Sequence, residues 1–211
     1  RVYWGAAHNH TSYSFDAGMF GITLGPAALF KFARGEEVVV DNGMRAKIDR
    51  PLDWLAVTDH AEYLGLAEEI QTGSPELLAN PTGKRWYEAS KKSPQEGVKA
   101  AIEAVVTIKN GVPAIKSEQL TKAAWARATA AAEQFNQPGV FTAMTGFEWT
   151  SQPSGNNLHR IVVFADGADK TSRVQPFSLF DSQDPAKLWD YMEHYEASTG
   201  GRVFAHVHNG N

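Results

Sequence analysis

Short apolar runs alternate with longer amphipathic stretches along this chain, which predicts strands interleaved with helices. Val2 to His8 reads as a strand ending on a polar motif. Trp54 to Thr58 reads as a short buried strand ending at Asp59-His60. Strand patterns return at Val140 to Trp149, at His159 to Ala165 and at Arg202 to Val207. Between them, Pro26 suits the first turn of a helix running to Arg34, with Gly35 as its stop. A helix follows Asp59-His60 through Glu68-Glu69, and Asp184-Pro185 caps another that ends at Gly200-Gly201.

The stretch 71–137 has a different character and reads as a helical insertion or lid between two strands. Ser93-Pro94-Gln95-Glu96 has the form of a capping box, launching a helix to Lys109 that Asn110-Gly111 stops. A second helix starts near Ser117, and its stripe of Trp125, Ala128, Ala132 and Phe135 has the spacing of a packed face. The whole of 1–211 forms one α/β domain, and strand–helix alternation predicts a parallel sheet with right-handed crossovers. About five strands fall short of the seven or eight of a closed barrel. The chain also ends inside a polar cluster, His206 to Asn211, so the barrel is expected to be partial and the chain a fragment of a longer protein.

Composition narrows the function classes. A net charge of −4 gives no basic footprint for a nucleic-acid backbone. A small phosphorylated substrate stays compatible if bound metals supply the positive charge. The absence of cysteine excludes disulfide scaffolds and thiolate zinc sites. No run of about 18 apolar residues offers a membrane span. Opening at Arg1 without methionine fits an exported or periplasmic protein with its leader removed, and equally a trimmed chain.

The candidate chemistry lies at strand ends. His8 and His10 stand two apart, so on an extended segment both rings point to one side and can meet one ion. His206 and His208 repeat that spacing at the far end. Asp59-His60 follows a strand; the aspartate alone could be a helix cap, which needs no histidine beside it. Glu148 sits between Phe147 and Trp149, where a carboxylate is costly to bury unless it is paired or metal-bound. His159 alone begins a strand rather than ending one, and His194 falls inside a helix and is set aside. In a parallel barrel the C-terminal strand ends converge on one face. Six of the seven histidines near strand ends, with carboxylates, make a nitrogen/oxygen donor set for zinc, manganese or iron. Such ions activate water and clamp phosphoryl or acyl oxygens, so no serine or cysteine nucleophile is needed. Trp4, Trp54, Trp86 and Trp149 could stack on a sugar or base, though tryptophans of this kind belong more often to cores.

The stretch from His8-Asn9-His10 to Gly18 resembles the opening motif of the PHP (polymerase and histidinol phosphatase) superfamily. Val57 to His60 resembles its second motif, and Gly146-Phe147-Glu148 its bridging glutamate. Arg50 to Gly65 and the late His-Asn-x-Asn segment resemble an uncharacterised PHP-related bacterial family. The resemblance implies a distorted (β/α)7 TIM-type barrel and a site of two or three divalent ions. It implies His8, His10, His60, Glu148, His159 and His208 as ligands, with His206 competing with His208, Asp59 and Glu148 as catalytic, and Asp16 near the metals. Phosphoester hydrolysis of a small, phosphorylated substrate is the implied activity. Metal-dependent amide or lactone hydrolysis, and a non-catalytic metal- or carbohydrate-binding barrel, are the alternatives. Three features depart from the superfamily pattern. Gly5 to His8 lacks the usual acidic residue before the first histidine, His206 replaces an apolar residue, and no late Asp-x-His follows.

Overall fold

The computed structural model of the chain describes residues 1–116 and 118–208. The first half contains β1 (Gly5–Ala6), α1 (Phe15–Met19), α2 (Pro26–Ala33), β2 (Val38–Val39), β3 (Arg45–Ala46), β4 (Trp54–Val57), α3 (Leu66–Thr72), α4 (Pro75–Ala79), α5 (Pro81–Lys92) and α6 (Pro94–Lys109). It continues with α7 (Glu118–Phe135), β5 (Thr142–Trp149), β6 (Arg160–Phe164), α8 (Ala168–Thr171), α9 (Pro185–Thr199) and β7 (Val203–Val207). Ser117, expected to open the helix at α7, lies outside the described residues, as do Asn209, Gly210 and Asn211 of the late polar segment.

Helix starts follow local chemistry. Ahead of a leading proline, Ser74 accepts from Leu77 N, Asn80 from Thr82 and Gly83 N, Ser93 from Glu96 N, and Asp184 from Ala186 N. Proline has no N–H to leave unpaired there, and the cap satisfies one of the remaining donors. At Ser93 the carboxylate of Glu96 turns to Lys99, 2.7 Å away.

Strands β1-β4-β5-β6-β7 form a curled five-strand half-barrel sheet in that order, and β2-β3 is a separate hairpin. Strands β1, β4 and β5 are parallel. The expectation of a wholly parallel sheet is corrected at β6, which runs antiparallel to both neighbours. The cause is the connection. Only residues 150–159, with a single 3₁₀ turn at Pro153–Gly155, join β5 to β6, whereas a parallel return needs a longer crossover, usually a helix. Strand β7 therefore runs in the direction of β5. The strand expected over Val2 to His8 contracts to two residues at the sheet edge, where its neighbour Asp53 accepts from Trp4 N at 2.8 Å.

Side-chain alternation splits the sheet into two faces. Phe147, Trp149, Val162 and Phe164 face the helices, in one core with Trp125 and Leu188. Leu55, Val57 and Ala143 continue that layer against Phe30 and Phe135. On the concave face Ala56, Ile161 and Val163 pack with Ala7 and Met144. The stripe of α7 packs as its spacing predicts, with Trp125, Ala128, Ala132 and Phe135 all buried. Helices α3 to α6 gather around Leu66, Ile70, Leu77, Trp86, Ala100 and Ala104. Trp86 and Trp149 are core residues, while Trp4 is exposed.

Trp125 joins these layers: its ring lies 6.3 Å from Phe147 and 6.0 Å from Phe164, and its Nε1 donates to Thr171 O. Trp125→Ala is expected to cost about 3–5 kcal/mol in urea unfolding, as large-to-small changes in packed cores do. A loss under about 1 kcal/mol would show that this joint does not carry the fold.

Candidate metal centre

The site begins where β1 runs into His8-Asn9-His10. Asn9 is stitched to the end of β4: its side-chain amide donates to Ala56 O, its main-chain N to Thr58 Oγ1, and its carbonyl accepts from Thr58 N. With Asn9 turned toward β4, the flanking histidines project the other way. Their Nε2 atoms lie 3.0 Å apart and meet the same oxygen, Oε2 of Glu148, at 3.0 and 2.7 Å.

Glu148 comes from the end of β5, which continues beside β4 through a parallel bridge to His60. Gly146 lets β5 lie close to both β6 and the end of β4, because a Cβ there would lie 2.5 Å from Val162 O and 3.0 Å from Thr58 Cγ2. The Glu148 side chain is 1 % exposed. Its second oxygen, Oε1, meets His159 Nδ1 at 2.6 Å and His208 Nε2 at 2.9 Å. His60 Nε2 lies 3.8 Å from Glu148 Oε2 and 3.8 Å from Asp16 Oδ2. Ring contacts run from His8 to His10, His60, His159, His208 and back to His8, a closed circuit around one carboxylate. The reversal of β6 explains the placement of His159. The start of an antiparallel strand lies level with the ends of its neighbours. The curl of the sheet does the rest, bringing the ends of β1 and β7 close enough for the His8 and His208 rings to meet, tilted, at 3.9 Å.

His206 lies one step deeper in β7, opposite Ile161, and its side chain is exposed outside the circuit. His194 is exposed on α9. Asp59 does not reach the ring of histidines. Its carboxylate is 2 % exposed and binds Thr11, accepting from the main-chain N at 2.5 Å and from Oγ1 at 2.8 Å. It is not a helix cap either, since the residue preceding α3 is Gly65. Ser14 and Thr150 also support the site, although no sequence motif marks them. Ser14 Oγ donates to Asp16 at 2.6 Å and accepts from His60 N at 3.1 Å. Thr150 Oγ1 lies 3.1 Å from His60 Nδ1. Their signal was proximity alone, two residues before Asp16 and two after Glu148, because a lone hydroxyl carries no motif.

Three overlapping sets of side chains bring their donor atoms within 4.8 Å of one another: His8, His10 and Glu148; His10, Asp16 and His60; His60, Glu148 and His159. These sets suit divalent metals that accept imidazole and carboxylate together. Along the sequence, the family model for DUF3604, described as a protein of unknown function, matches residues 1–211. The chain belongs to the DUF3604 family. No curated protein and no solved structure matches it.

The electrostatics of this DUF3604 chain express the same demand for positive charge. Burial opposes a charged His10, but its hydrogen bonds to Asp16 and Glu148 prevail and push the ring up to about 10. Burial likewise disfavours an ionised Glu148, yet the hydrogen bonds from His10 and His159 hold it well below the usual carboxylate range. Burial also disfavours an ionised Asp16, but its hydrogen bonds to His10 and Ser14 and the charges of His60 and His10 together hold it low. Protons on the imidazoles thus balance the carboxylates, a role that a cation can take over. Away from the circuit, burial pushes Asp59 up to about 6 against its bonds from Thr11.

The Thr11–Asp59 clamp ties the loop after His10 to the segment before His60. Asp59→Ala leaves the Thr11 main-chain N–H without its acceptor, and is expected to cost about 1–3 kcal/mol in denaturant unfolding. Asp59→Asn keeps an acceptor and should lose less. Parental stability in Asp59→Ala would remove the clamp from this account.

Proposed function

We propose that this chain is a metal-dependent hydrolase of the PHP type, acting as a phosphoesterase with two or three zinc, manganese or iron ions. The observation that carries the reading is the circuit of imidazoles closed around the buried Glu148. Glu148 divides its oxygens, Oε2 toward His8 and His10 and Oε1 toward His159 and His208. So divided, Glu148 would serve ions on either side. His8, His10, His60, His159 and His208 would hold the ions with it. Asp16, half-exposed beside His10 and His60, would complete a further set on the open side. Divalent ions bound there would supply a low-pKa water as nucleophile and a clamp on phosphoryl oxygens.

The chain's own residues do the rest. Asn9, Ser14 and the Thr11–Asp59 clamp orient the donors, so we assign Asp59 to holding the loop rather than to contact with reacting atoms. The side chain of His8 is 39 % exposed and Asp16 is 50 % exposed, which leaves one side of the circuit open to a ligand while Glu148 stays closed off. A small phosphorylated substrate suits that opening. The half-barrel is read as part of a distorted (β/α)7 barrel, consistent with its parallel β1, β4 and β5 and its sites at the strand ends.

Elemental analysis of the purified protein is expected to find two or more equivalents of zinc, manganese or iron, with less in His8→Ala and in Glu148→Ala. Chelation should lower Tm by about 5–10 °C, since ligand at a hundred times its Kd stabilises by about 2.7 kcal/mol. The loaded protein should hydrolyse members of a phosphomonoester and phosphodiester panel. No metal after reconstitution sinks the reading. Metal without phosphoester turnover, but with turnover of amides or lactones, transfers it to acyl chemistry.

A further inference from the structure

Glu62 is a buried acid outside the circuit. Its side chain is 1 % exposed and none of its atoms lies in the donor sets described above. Oε1 accepts from Leu179 N at 2.6 Å and faces Thr150 N at 3.4 Å. Oε2 has no hydrogen-bond partner among the described residues and stands 3.6 Å from His60 Nδ1. A carboxylate oxygen stripped of water is costly unless a positive or donating group faces it, and the imidazole of His60 is the group that does.

The backbone shows that this placement is imposed. Tyr63, the next residue, has φ 56, a left-handed conformation that an aromatic side chain rarely adopts. Such strain persists only where surrounding structure holds it. Here the Tyr63 hydroxyl is 2.6 Å from Thr107 Oγ1 and accepts from Ala114 N at 2.7 Å, and its ring packs against Phe15, Trp86 and Phe180. Anchored on the helical side, this turn directs Glu62 back toward His60.

We propose that Glu62 is a positioning residue for His60: facing Nδ1, it keeps the ring proton on that atom and turns the Nε2 lone pair to the metal. Thr150 Oγ1, 3.1 Å from the same Nδ1, cannot make that choice alone, because a hydroxyl donates or accepts equally well. Glu62 Oε2 is an acceptor with no other partner among the described residues, so it favours the tautomer with the proton on Nδ1. Nε2 is the nitrogen that faces Asp16 and Glu148. The inference rests on the metal-site reading above, and it adds a residue that the donor sets do not contain.

The test uses calorimetric zinc titration and nitrogen-15 spectra of the histidine rings. In zinc-loaded parental protein His60 should carry its proton on Nδ1 and its metal on Nε2. Glu62→Gln preserves shape and an acceptor for the Leu179 amide. It should weaken zinc binding about 10- to 100-fold, as loss of such supporting partners does, while Tm of the metal-free protein moves little. A merely structural Glu62 predicts the reverse, a lower metal-free Tm with zinc affinity kept. If Glu62→Gln fails to fold, the parental spectrum still decides: metal on Nδ1 of His60 overturns the proposal. Equal zinc affinity in Glu62→Gln and parent overturns it while leaving the metal site standing. No zinc bound by the parent overturns both.

Discussion

A carboxylate withdrawn from water at the inner end of a strand must be met by compensating groups on every side, and Glu148 imposes that condition on the rest of this structure. Its two oxygens are met by imidazole nitrogens at 2.6 to 3.0 Å, supplied from the ends of β1 and β7 and from the start of β6. No single segment could do this. A strand contributes at most one or two side chains at its end, so compensation of both oxygens requires several strand ends at one level. The curled sheet provides that level, and the reversed β6 adds the start of a strand to the ends of others.

Behind the circuit stands a shell of short polar side chains that tie loops to each other. Asn9 fixes the first histidine pair to β4, Thr11 and Asp59 join the two loops that follow, and Ser14 links His60 to Asp16. Such partners fix ring orientation and basicity, and metal affinity depends on them nearly as much as on the ligands. The helices α3 to α6 join this arrangement at Tyr63 and Phe15. Tyr63 is anchored among them in a strained conformation, and the turn it holds carries both His60 and Glu62.

The site is asymmetric, and the asymmetry is chemical. Glu148 and the rings of His60, His159 and His208 are largely enclosed, while His8 and Asp16 meet solvent. An enclosed side strengthens electrostatic interactions and an open side admits a ligand. In a chain of net charge −4, the donor sets converge where a bound cation would place positive charge.

Local chemistry was legible in the sequence wherever a few neighbouring residues decide the outcome. Proline behind a capping side chain located the starts of α6 and α9, and 3.6-residue spacing marked the buried face of α7. Two-residue spacing put His8 and His10 on one side, and the apolar flanks of Glu148 marked it as a carboxylate in need of partners. The same spacing could not separate His206 from His208, since both point to one side and only depth along β7 distinguishes them. Whether β6 runs parallel or antiparallel, whether Asp59 faces the histidines or Thr11, and which ring Glu62 faces all depend on where distant segments are brought together. Hydrogen bonding and helical periodicity act over a few residues and are written in the chain. The direction of a strand in a sheet and the partner of a buried acid are settled only when the whole sheet closes around them.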